Sequence, residues 1–120
     1  MMKRTVVIGA SPNPERYSYL VTKMLQKAGH PVIALGLRDG IIGKVQIQKN
    51  RPEVNEVHTI TIYLSEKNQI DWEEYILSLK PRRILFNPGA HNLDFAKRAE
   101  AAGIETENAC TLVLLSTGGF

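Results

Sequence analysis

The stretch Thr5-Val6-Val7-Ile8-Gly9-Ala10-Ser11-Pro12-Asn13-Pro14-Glu15-Arg16 decides how the rest of the chain is read. Thr5 to Ile8 is an unbroken β-branched run, the pattern of a strand buried on both faces of a parallel sheet. Gly9 ends it, and a polar, proline-bearing segment follows. Beyond that segment, Leu20, Val21, Met24, Leu25 and Ala28 recur at the spacing of one buried helical stripe, and Gly29 suits the stop. Pro31-Val32-Ile33-Ala34-Leu35 then supplies a second strand. Strand, helix and strand together form a β-α-β unit, whose crossover is expected to be right-handed.

The alternation continues outward from this unit. Gly36, Gly40 and Gly43 interrupt any regular pattern before Val45-Gln46-Ile47-Gln48, which reads either as a short edge strand or as an extended loop. Val57 to Leu64 alternates, with Ile60, Ile62 and Leu64 on one face and Thr59, Thr61 and Tyr63 on the other. Ser65 has the chemistry of a helix cap, Ile70, Tyr75, Ile76 and Leu79 mark an apolar helix face, and Pro81 stops it. Arg83 to Phe86 is a further strand, Leu93 to Ala102 an alanine-rich helix ending at Gly103, and Ile104 to Glu107 a final short strand. The expectation is an α/β, Rossmann-like three-layer fold over residues 1–120 as one domain. Its open, mostly parallel sheet should have about five strands and helices on both faces. The apolar run Leu112-Val113-Leu114-Leu115 is left as core or as a dimer contact.

Bulk properties narrow the functional classes. Of the 120 residues, 43% are hydrophobic and 22% charged, the balance of a folded globular chain. The net charge of +3 is dispersed, without the clustered basic stripe expected for nucleic-acid binding. No apolar run reaches membrane-spanning length, and Lys3 and Arg4 precede a run too short for a signal peptide, so a cytoplasmic setting is expected. The single cysteine, Cys110, leaves no internal disulfide and no multi-cysteine metal site.

In open α/β sheets, ligands bind beyond the carboxyl ends of the strands, where the loops starting at Gly9, Gly36, Tyr63 and Asn87 should share one rim. Gly9-Ala10-Ser11 offers backbone with little side-chain bulk, and the following helix turns unpaired amides and a positive dipole end toward the crevice. A phosphate suits that environment. A plainer reading has Gly9 making a tight turn and Ser11 capping the helix. The dinucleotide fingerprint needs glycine where Ser11 and Pro14 stand, and Gly36-Leu37-Arg38 carries no acidic residue for a ribose diol, so ordinary NAD binding is disfavoured. Arg38 instead suits a ribose-linked phosphate.

Gly9 to Val21 resembles the opening of the small stand-alone CoA-binding domain family, related to the CoA-binding domain of succinyl-CoA synthetases. The likeness extends through Gly29-His30-Pro31-Val32-Ile33, Gly43, Asn87-Pro88-Gly89-Ala90-His91-Asn92 and Ala102-Gly103-Ile104, and Cys110 matches a late family cysteine. The resemblance implies a non-covalent site for coenzyme A or an acyl-CoA, with Gly9, Ala10 and Ser11 near phosphate and Arg16 as a cationic partner. Asn87, Pro88 and Gly89 would approach from the opposite lip. With Pro12, Tyr19 and Arg38, these form the candidate cofactor-binding set. Two departures stand out: Gly36-Leu37-Arg38 replaces a common Asn-Pro pair, and Glu107-Asn108-Ala109 precedes Cys110 where many members carry a basic residue.

No nucleophile, base and orienter set emerges, so no catalytic residue and no metal ligand is assigned. His30 precedes a proline at a turn and His58 begins a strand, whereas His91 follows Gly89-Ala90 on the expected rim. Cys110 reads either as a small buried hydrophobe or as a thiol near the pantetheine end. Tyr17, Tyr19 and Tyr63 each suit stacking on a base or filling core, and Tyr19 is preferred for the former. The leading expectation is a regulatory or carrier CoA-binding module. The alternatives are a small enzyme acting on a CoA thioester or another nucleotide through His91 and Cys110, an NAD(P)-binding regulatory protein, and an interaction or regulatory protein whose ligand changes its association state, with a homodimer or another protein as partner.

Overall fold

The structure, a computed structural model, describes residues 2–120. Thr5–Ile8 forms β1, Tyr17–Lys27 α1, Val32–Leu35 β2, Ile41–Ile42 β3, Val45–Gln48 β4 and Thr59–Ile62 β5. The second half contributes Glu66–Gln69 as α2, Glu73–Ser78 as α3, Arg83–Phe86 as β6, Leu93–Ala101 as α4, Glu105–Asn108 as β7 and Thr111–Thr117 as α5. A 3₁₀ turn at Ile70–Trp72 joins α2 to α3.

The strands lie in the order β3-β4-β2-β1-β5-β6-β7. All pairings are parallel except β3 with β4, where Ile41 faces Gln46 and Ile42 faces Val45. The α/β, Rossmann-like architecture therefore stands, but the sheet has seven strands rather than about five. The difference lies mainly in the glycine-broken segment, which closes into a hairpin. Gln26 of α1 holds its turn: Nε2 donates to the Ile42 carbonyl at 2.8 Å, and Oε1 accepts from the Lys44 amide at 3.0 Å. That long-range grip is invisible to a local pattern.

β1 is central and all four of its residues are buried, as a strand covered on both sides requires. Val6 and Ile8 join Ile60, Ile62, Ile84 and Phe86 on one face, under α3 and α4. Phe86 and Phe95 meet edge-on there, with ring centres 6.0 Å apart. Val7, Ala34 and Ile47 face the other way, against Val21 and Leu25 of α1. Leu112 and Leu115 pack on this second face, so the apolar C-terminal run is a helix laid beside α1, with Val113 turned outward. The α1 stripe is shifted from expectation. Ser18, Val21, Thr22 and Leu25 are buried, whereas Leu20 and Ala28 are exposed.

Candidate functional site

Parallel pairing sends the carboxyl ends of β1, β2, β5 and β6 to one rim, where the chain must turn away after Ile8, Leu35, Ile62 and Phe86. A cleft of about 500 Å³ opens on that rim, lined by the loop from Gly9 to Asn13, the start of α1, Leu37 with Arg38, Tyr63 with Leu64, and Pro88. Its volume falls in the usual range of small-molecule sites.

The floor is built from backbone. Gly9 and Ala10 both donate to the Leu35 carbonyl, at 3.0 and 2.9 Å, which ties the loop after β1 to the end of β2. Gly9 has φ +93°, and a Cβ there would stand 3.1 Å from the Tyr63 carbonyl carbon. Glycine is required for both reasons. Ser11 does not cap the helix: its Oγ accepts from the Asn13 amide at 3.1 Å, and the Asn13 side chain accepts from Glu15 at 3.0 Å. These two small turns carry the chain to Arg16, the residue before α1, where no side-chain cap forms. The first-turn amides of Tyr17 and Ser18 consequently have no intrahelical partner, and both residues line the cleft.

The charge of the cleft is positive. Arg16 and Arg38 are exposed and form no ion pair among the described residues, while the neighbouring Asp39 is held by Lys49 at 3.3 Å. Tyr17 and Leu37 stand 65% and 85% exposed at the mouth, placing apolar surface beside the two arginines. Tyr63 forms the deep wall. Burial pushes its phenol well above the ordinary range, and the Cys110 thiol acts in the same direction. Thr61 and Thr111 lie near it and oppose that rise, but they are bonded to each other at 2.9 Å, and the Tyr63 hydroxyl meets no hydrogen-bond partner in good geometry among the described residues.

Among the residues singled out in the sequence, Gly9, Ala10, Ser11, Pro12, Arg16, Arg38 and Pro88 come together around this cleft. Tyr19 is half-buried and packs on the α1 side of the core. Asn87 is 2% exposed: Nδ2 donates to Thr61 Oγ1 and the Ile62 carbonyl, and Oδ1 accepts from the Thr111 amide. Its side chain joins β5, β6 and α5. Gly89 is exposed, outside the lining, as is His91. Cys110 is half-buried at the start of α5. The lining also includes Tyr17 and Tyr63, which the sequence leaves open between stacking and core, and Leu37 and Leu64, to which the sequence assigns no ligand role. The signal available was an apolar residue directly following a strand end, which becomes informative only once the strands are known to share a rim. Among the described residues, no group of three His, Cys, Asp or Glu side chains is placed to hold a metal, and no helix is long and apolar enough to cross a membrane.

A family model described as a CoA binding domain matches residues 3–116. A crystal structure of an uncharacterized protein is 41% identical, superposes with a TM-score of 0.97, and the match covers 100% of this chain and 99% of that one. Two more distant likenesses share the fold at 19% identity and a TM-score of 0.85: cell-free ID.343 from Thermus thermophilus and a hypothetical protein from Pyrococcus horikoshii OT3. They cover 99% and 97% of this chain, and 91% and 83% of their own. No curated protein matches the sequence.

Proposed function

The chain belongs to the CoA binding domain family, and from that premise we propose that it binds coenzyme A or an acyl-CoA non-covalently in the Gly9 cleft, as a regulatory or carrier module. The observation that carries this reading is the coincidence, in one cleft, of a glycine turn, an uncapped helix start and two unpaired arginines. Each element suits one part of the ligand. The loop Gly9 to Pro12 and the first-turn amides of α1 would take the diphosphate, because orphan N–H groups and the dipole end both favour an anion. Arg16 would add a cation to that site. Arg38, at the end of β2, would meet the phosphate on the ribose, where a guanidinium can donate two bonds. Tyr17 and Leu37 offer apolar surface for the base, and Tyr63, Leu64 and Pro88 a wall for the pantetheine arm.

Calorimetric titration with CoA, dephospho-CoA, NAD and NADP under reducing conditions tests the reading. Saturable CoA binding that weakens without the ribose phosphate is the expected result. Binding of NAD or NADP with none of CoA would replace the ligand and leave the cleft. The enzymatic alternative requires His91 and Cys110 to reach the ligand, and neither lines the cleft. Turnover of an acyl-CoA panel that disappears in both His91→Ala and Cys110→Ser would restore it.

A further inference from the structure

A second cleft, of about 470 Å³, opens at the amino-terminal ends of the strands, on the opposite rim of the sheet. Arg4, Lys80 and Arg82 bring three cations to its lining and Glu56 one carboxylate, so with His58 neutral the balance is three minus one, or two positive charges. Arg4 is engaged, donating to the Asn55 carbonyl at 2.8 Å and standing 3.7 Å from Glu56. Lys80 and Arg82 are exposed and pair with no carboxylate among the described residues. Met2 and Pro31 make the accessible part of the remaining lining apolar, over the buried Val57.

The backbone adds an independent sign. Glu56 and Lys80, with φ of 56° and 49°, are the only non-glycine residues of positive φ among the described residues, and both line this cleft. Left-handed backbone is disfavoured for side chains of this size and gathers at functional positions. Lys80 sits just past the end of α3, its amide donating to the Leu77 carbonyl at 3.1 Å. Glycine is the residue that fits such a helix end. A lysine there gives up helix-end fit and gains an ammonium at the rim. The local field is positive as well. His58 is held below its ordinary value, by burial first and then by Arg83, Lys3 and Arg82, with Glu105 opposing.

We propose that this cleft binds a small amphiphilic phosphate, its dianionic end between Lys80 and Arg82 and its apolar body against Met2 and Pro31. Arg82 supplies paired donors to the phosphate oxygens and Lys80 a point charge. The site is separate from the Gly9 cleft and does not depend on what that cleft holds.

The test is an NMR titration of the histidine ring signals with phenyl phosphate at constant ionic strength, with inorganic phosphate and phenol as comparison probes. Phenyl phosphate should shift the His58 signals saturably and raise the His58 titration midpoint, and should bind more tightly than either fragment. Arg82→Gln should weaken it by about tenfold, the loss expected for a charge-assisted pair. Lys80→Gly should weaken it similarly while raising thermal stability, since glycine relieves the left-handed backbone. The proposal fails if the His58 signals show no saturable shift, if inorganic phosphate binds as tightly as phenyl phosphate, or if both variants bind like the parent protein.

Discussion

Gly36 stands against Ala10 so closely that a Cβ on residue 36 would lie 2.2 Å from the Ala10 carbonyl oxygen. Here the φ of the glycine is not the constraint; the missing side chain is. It lets the loop after β2 pass under the loop after β1, and the two Leu35 hydrogen bonds then hold Gly9 and Ala10 in place.

Gly36→Ala should therefore push the Gly9 loop outward. Because the clash is with backbone, relief requires a main-chain shift, and overpacking of this kind costs roughly 1–3 kcal/mol. Urea unfolding should show that loss, and CoA affinity should fall with it. A variant with parental stability and affinity would mean that the loop is looser than its hydrogen bonds imply.

Asn87→Ala should be destabilising for a different reason. Removing the amide strips the buried Thr111 N–H of its partner, a loss of about 1–3 kcal/mol, and leaves the Ile62 carbonyl only the 3.4 Å bond from the main-chain amide of residue 87. Equilibrium unfolding should place the loss at about 2 kcal/mol, with Asn87→Asp also destabilised because a carboxylate cannot donate to Thr61 or Ile62.

Arg38 should discriminate between ligands. Arg38→Gln is expected to weaken CoA binding by about tenfold, the scale of one charge-assisted contact, and to leave dephospho-CoA binding unchanged. In the parent protein, raising salt should erode the preference for CoA over dephospho-CoA, since the arginine is exposed. Equal losses for both ligands would place Arg38 away from the ribose phosphate.

Acid should destabilise the fold through the histidines. His30 and His58 are both held below 6.5, His30 by burial first and then by Lys3 and Arg83. The His30 Nδ1 accepts from the Lys3 amide at 2.9 Å, a bond that protonation abolishes. The unfolded chain thus binds more protons than the folded one in this range, so stability is full above about pH 6.5 and declines as pH falls through the depressed folded-state values. Thermal melts between pH 8 and 5, roughly spanning that window, should show the decline, and His30→Asn with His58→Asn should flatten it.

The sequence by itself determined the elements whose cause is local. Thr5 to Ile8 and Arg83 to Phe86 read as strands with the bounds observed, because unbroken apolar β-branched or aromatic runs leave few other buried conformations. Val57 to Leu64 showed its two faces by alternation, although the strand itself spans only Thr59–Ile62, and the Gly9 turn was visible as the break after β1. The tertiary structure alone decided the rest. The β3–β4 hairpin depends on Gln26 reaching across from α1, and α5 takes shape against α1 rather than from its own short apolar run, since helices this short draw their stability from packing. Asn87, read from sequence as a lip residue, became a tie between β5, β6 and α5, because the same amide chemistry serves a ligand or a buried backbone and only position selects between them. The joining of Arg16, Arg38, Tyr17 and Leu37 around one cleft likewise follows from strand order, which brings β2 beside β1 and sends both carboxyl ends to the same rim.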